Sequence, residues 1–118
     1  MSRWFQFSLA GILILAASIT YFTMSREKWP FDDPPNVATI SVRQIIDDGA
    51  PVLFVSHDVD DGAWQFLTGG EVSTADAMVI SLEEMLERDP TLAELADLKC
   101  GWKAMRERVG APWHRSKN

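Results

Sequence analysis

Residues 51–70 read PVLFVSHDVDDGAWQFLTGG, and the fold class turns on this stretch. Val52-Leu53-Phe54-Val55 is a β-branched and aromatic run of the kind buried in a central strand. Ala63-Trp64-Gln65-Phe66-Leu67 resumes that character after a loop of about five residues carrying Asp58, Asp60, Asp61 and Gly62. Aspartate side chains accept local backbone hydrogen bonds and glycine permits positive φ, so the polar segment turns the chain. The stretch predicts a β-hairpin, closed by Gly69-Gly70.

Upstream, Ser41 reads as a helix N-cap, with Gln44 completing a capping box and Ile40 and Ile45 at the hydrophobic-staple positions. Asp47, Asp48 and Gly49 stop that short helix and Pro51 seals the stop. Downstream, Ser73 to Asp76 reads as one turn of helix and Met78-Val79-Ile80 as a third strand. Ser81 with Glu84 forms a second capping box, stapled by Ile80 and Met85, with Leu82, Met85 and Leu86 as its buried stripe. Asp89-Pro90 breaks the helix. Thr91 with Glu94 opens another, whose inward face is Leu92, Leu95, Ala96 and Leu98, and Gly101 ends it. Trp102 to Arg106 alternates as a final strand, and Pro112-Trp113 leads into a polar tail. Strands and helices mixed in this order predict a small α+β domain with a largely antiparallel sheet and short capped helices.

One transmembrane helix is expected ahead of that domain. Phe5 to Met24 holds no charged residue and nine Leu, Ile or Phe. At helical rise it spans roughly 30 Å, the thickness of a bilayer's hydrocarbon core. Residues 1–28 are therefore read as a membrane anchor with its flanks, single-pass in a bacterial inner membrane. The alternative is a secreted domain behind a cleaved signal peptide, with Arg3 as its charged start and Ala16 and Ser18 before the cut. Apolar residues continuing through Ile19, Tyr21, Phe22 and Met24 favour the anchor. Basic residues flank the run on both sides, so orientation stays open. Pro30, Pro34 and Pro35 with Asp32 and Asp33 mark residues 29–36 as an extended linker, which leaves 37–118 as the folded domain.

From residue 29 onward, once Arg3, Arg26, Lys28 and Glu27 are set aside, 8 basic and 16 acidic residues remain, a net charge of −8. Such a domain is repelled by phosphate backbones, which disfavours nucleic acid and favours basic protein partners or cations. The single cysteine, Cys100, excludes an internal disulfide and a cysteine-rich zinc site.

Two stretches carry a family likeness: Asp61-Gly62-Ala63-Trp64-Gln65-Phe66-Leu67 followed by Gly69, and Ser81-Leu82-Glu83-Glu84 running to Asp89-Pro90, Leu92 and Leu95. In them, residues 51–113 resemble a family of small bacterial domains of unassigned biochemistry, related to the immunity proteins of polymorphic toxin systems. The resemblance implies a compact α+β fold and a protein-binding role, and it brings no catalytic residues. The membrane span departs from the usual soluble members.

The sharpest constellation for chemistry is His57, Asp58, Asp60 and Asp61. Three carboxylates and an imidazole this close suit a divalent cation, and with it a small metal-dependent hydrolase. An EF-hand loop beginning at Asp58 would need a glutamate at its twelfth place, which is Gly69. The plain reading is a hairpin turn. His57 and His114 are candidates for an acid–base pair, and Cys100 with either histidine for a thiol nucleophile. Against these stand a solvated strand-end histidine, a tail histidine, and a small apolar filler at a helix end. No catalytic, metal or cofactor motif is complete, and Gly69-Gly70 lacks the lysine of a phosphate loop. For recognition, Trp64 and Trp102 are expected in the core and Trp113 partly exposed. Trp113, Glu83, Glu84 and Glu87 are the candidate partner-binding residues. The expected function is a membrane-anchored, non-catalytic protein-binding module of immunity type.

Overall fold

The computed structural model describes residues 29–118, of which Phe31–Asn118 form one compact unit. Phe5–Met24 lies outside the described residues; among those described, no helix is long and apolar enough to cross a membrane.

The hairpin is present. Strand β2 (Phe54–His57) pairs antiparallel with β3 (Trp64–Leu67), Phe54 opposite Leu67 and His57 opposite Trp64. Its turn is tied by Gly62 N–H to the Asp58 carbonyl at 3.0 Å and by Asp58 N–H to the Ala63 carbonyl at 2.8 Å. Gly62 sits at φ +72°, where a side chain would be strained. The remaining strands are β1 (Ala38–Val42), β4 (Ala77–Ser81), β5 (Trp102–Met105) and β6 (His114–Lys117). They complete one six-stranded sheet in the order β4-β1-β3-β2-β5-β6. Only β1 and β3 run parallel; every other neighbouring pair is antiparallel.

β1 corrects the first expected capping box. Residues 38–42 are strand, and the short helix α1 (Arg43–Ile46) starts after Val42 with no side-chain cap. Ser41 is instead buried in the sheet, its Oγ donating to the Phe66 carbonyl at 2.9 Å. Thr39, also buried, donates to the Ile80 carbonyl at 2.8 Å. The two hydroxyls thus stitch β1 to neighbours on both sides, and neither is left with the penalty of an unsatisfied buried group.

The second capping box holds in its N-cap half. Helix α2 (Leu82–Arg88) is capped by Ser81, whose Oγ accepts from Glu84 N–H at 3.1 Å. The third box is displaced by two residues. Asp89 rather than Thr91 caps the 3-10 helix Pro90–Leu95, accepting from Thr91 N–H at 3.0 Å, with Pro90 in the first turn. The helix ends at Leu95, well short of Gly101. β6 occupies what reads as a polar tail.

α2 and the 3-10 helix cover one face of the sheet. Leu82, Met85, Leu92 and Leu95 from the helices bury against Val55, Phe66, Trp64, Ile80 and Ala104 from the strands. Each large apolar side chain so buried contributes about 1.5–3 kcal/mol, and together they outweigh the poor intrinsic stability of helices this short. Residues 31–36 add to that face. Phe31 is buried with its ring edge-on to Trp64 at 5.2 Å, and Trp64 Nε1 donates to Asp33 at 2.9 Å.

Candidate functional site

His57 ends β2 at the sheet position opposite both Trp64 and Trp102. Its ring lies flat on the Trp64 indole, with centroids 3.9 Å apart and planes 12° from parallel. Nδ1 stands 2.7 Å from the Leu98 carbonyl oxygen. A carbonyl can only accept, so Nδ1 carries a proton there, and Nε2 is turned the other way. Cys100 Sγ lies 3.4 Å from Nε2 and is exposed to solvent. The cysteine is therefore not the apolar filler expected of it. Its position is held by Gly101, at φ +84°, whose N–H donates to the His57 carbonyl at 2.7 Å. Asn118 N–H donates to the Gly101 carbonyl from the far side at 2.8 Å.

The aspartates beside His57 serve the turn. Asp58 accepts from Ser56 Oγ at 3.1 Å and from Gln65 Nε2 at 2.8 Å. Asp61 accepts from the Ala63 N–H at 2.9 Å, an Asx-type turn. Among the described residues no three His, Cys, Asp or Glu side chains converge as metal ligands, so Asp58, Asp60 and Asp61 are not gathered on His57. They line a cleft of about 250 Å³ with Val59, Gly101 and Asn118, next to Cys100 in the chain. His114 is not brought to His57. It stands opposite Met105, whereas His57 is opposite Trp102, and β5 separates the two.

Trp64 is buried as expected, and Trp102 and Trp113 are half-buried. The Trp113 ring has Arg106 stacked on it, the guanidinium carbon 4.2 Å from the ring centroid. Glu83, Glu84 and Glu87 are exposed on α2. Two other carboxylates are held below the ordinary range. Asp76 accepts from Gln44 Nε2 at 2.9 Å and faces Arg43, and Asp97 is 2.8 Å from Arg115.

Arg106 carries no signal in the sequence, yet it joins three segments. Its side chain is buried, and Nε donates to the Val52 carbonyl at 3.0 Å, Nη1 to Thr91 Oγ1 at 2.8 Å and Nη2 to Asp89 at 2.6 Å. The residue fixes the start of the 3-10 helix against the segment that leads into β2.

No family model, curated protein or solved structure matches the chain. The functional reading accordingly rests on the residues.

Proposed function

We propose that the chain is a membrane-anchored, non-catalytic protein-binding module, held in the bilayer by Phe5–Met24, with an immunity-type role. One observation carries the reading: on the sheet face turned away from Val55 and Phe66, apolar side chains stand in solvent towards both ends of the strand order. On that face a row of residues crosses all six strands, Val79 opposite Ile40, then Gln65, Ser56, Lys103 and Ser116. Val79 is 76 % exposed and Ile40 37 %, and Met105, on the same face two residues beyond Lys103, is 44 % exposed. Exposed apolar side chains on a sheet face are the material of a protein interface, here Val79 with Ile40 at one side and Met105 at the other, with Leu67 and Ser56 buried between them. The acidic balance of the domain, with Glu83, Glu84 and Glu87 in solvent, suits a basic partner and speeds its encounter.

The test is capture with the full-length chain in detergent, using the product of a neighbouring toxin-type gene as bait. Binding is expected, and Val79→Glu with Met105→Glu is expected to abolish it while circular dichroism stays native. Turnover of a substrate by the purified chain, or binding indifferent to both changes, overturns the proposal. Recovery of a mature chain lacking its first twenty or so residues in the soluble fraction overturns the anchor.

A further inference from the structure

Cys100 does not stand alone. Its sulfur faces Nε2 of an imidazole whose other nitrogen is fixed on the Leu98 carbonyl and whose plane is fixed on Trp64. The backbones of both partners are held together by one bond, Gly101 N–H to the His57 carbonyl, which continues the β2–β5 ladder. Independently of the pair, a cleft of about 250 Å³ bordered by Asp60, Asp61 and Gly101 adjoins the cysteine's backbone, while both oxygens of Asp58 are taken by Ser56 and Gln65. Val59 would lie only 3.5 Å from a Cβ placed on Gly101, so this acidic loop packs directly beside the cysteine's backbone. The acidic charges beside the site are Asp60 and Asp61. Lys99 adjoins Cys100, and Lys117 stands opposite Trp102 in β6.

We propose that Cys100 is a modification site: a thiol assisted by His57 that exchanges with small cationic disulfides, of the aminothiol class, and retains one half as a mixed disulfide. Nε2 of His57 takes the thiol proton as Sγ attacks one sulfur of the disulfide. The S–S bond of the small molecule breaks, and the departing thiolate takes the proton back from the imidazolium. The balance is Cys100–SH plus RS–SR giving Cys100–S–SR plus RSH, with the small disulfide as the oxidant. Asp60 and Asp61 favour an ammonium group on R and disfavour a carboxylate.

The experiment uses the full-length chain in detergent, with its one cysteine, and follows adduct formation with cystamine by intact mass at neutral pH. An ordinary cysteine is only a few per cent thiolate there, so an assisted thiol is expected to react about tenfold faster than the same thiol in the urea-unfolded chain. His57→Gln should remove that advantage, and Cys100→Ser should give no adduct. Cystamine is expected to outpace the dianionic dithiodiglycolate, and Asp60→Asn, which loses no hydrogen bond of the turn, should narrow that preference. A folded chain that reacts no faster than the unfolded one overturns the assisted thiol, whatever the variants do. An anionic disulfide reacting as fast as cystamine overturns the assignment of the ligand class.

Discussion

Replacing Arg106 by methionine keeps the apolar stem and deletes the guanidinium. Three hydrogen bonds go: to the Val52 carbonyl, to Thr91 Oγ1 and to Asp89. The stack on Trp113 goes with them. Asp89 is left with 14 % side-chain exposure and no countercharge, although its other oxygen still accepts from Thr91. Removing one member of a buried ion pair costs about 3–5 kcal/mol, and the partial exposure of Asp89 places this case near about 3. For a domain of this size 1 kcal/mol moves the melting temperature by about 4–8 °C, so the expected fall is roughly 12–24 °C. Thermal unfolding of the full-length chain, followed by circular dichroism, measures it. Arg106→Met with Asp89→Leu should recover much of the loss, short of about 1 kcal/mol for the missing cap, because no charge then stays buried alone. A fall below about 4 °C in the single variant would mean that desolvation already cancels the pair, and the reasoning would be refuted.

Other outcomes follow from the same contacts. Ser81→Ala is expected to cost about 1 kcal/mol in chemical denaturation through loss of the α2 cap. Gly62→Ala should cost about 1–2 kcal/mol, because alanine resists the positive φ of the hairpin turn, and no measurable loss would place the turn elsewhere. Gln44→Ala removes the hydrogen bond that chiefly holds the Asp76 carboxyl low, so its titration by NMR should move up toward the ordinary range. Arg115 lowers Asp97, and a lowered folded value means stability present above about pH 4 and lost as acid protonates the carboxylate. Arg115→Gln should therefore lower stability slightly at neutral pH and leave it unchanged at the acid end, so that the slope between the two flattens.

The hairpin is legible because a β-branched run, an Asp-Gly turn and an aromatic run each favour it locally. β1 is not, since Thr39 and Ser41 are polar residues made fit for burial by carbonyls 41 and 25 residues away. Ser41-x-x-Gln44 meanwhile imitates a capping box. β6 reads His-Arg-Ser-Lys with every residue exposed, so it carries no apolar period and is held by its backbone pairing to β5. The candidate site divides in the same way. Each aspartate's turn role is local and readable, whereas the meeting of Cys100 with His57 depends on β2 and β5 becoming neighbours across 43 residues. Only the long-range ladder decides which of the two histidines the thiol meets.

The single parallel pair settles where the ends of the domain emerge. Because β1 runs alongside β3, Ala38 and Lys117 lie on the same rim of the sheet as His57 and the Asp58–Gly62 turn. The turns at Gly49, Gly69 and Gly110 occupy the opposite rim. A tag or reporter spliced to the carboxyl end therefore crowds the thiol and pulls on the Asn118–Gly101 bond, while the same cargo inserted at Gly49 or Gly110 leaves that corner open.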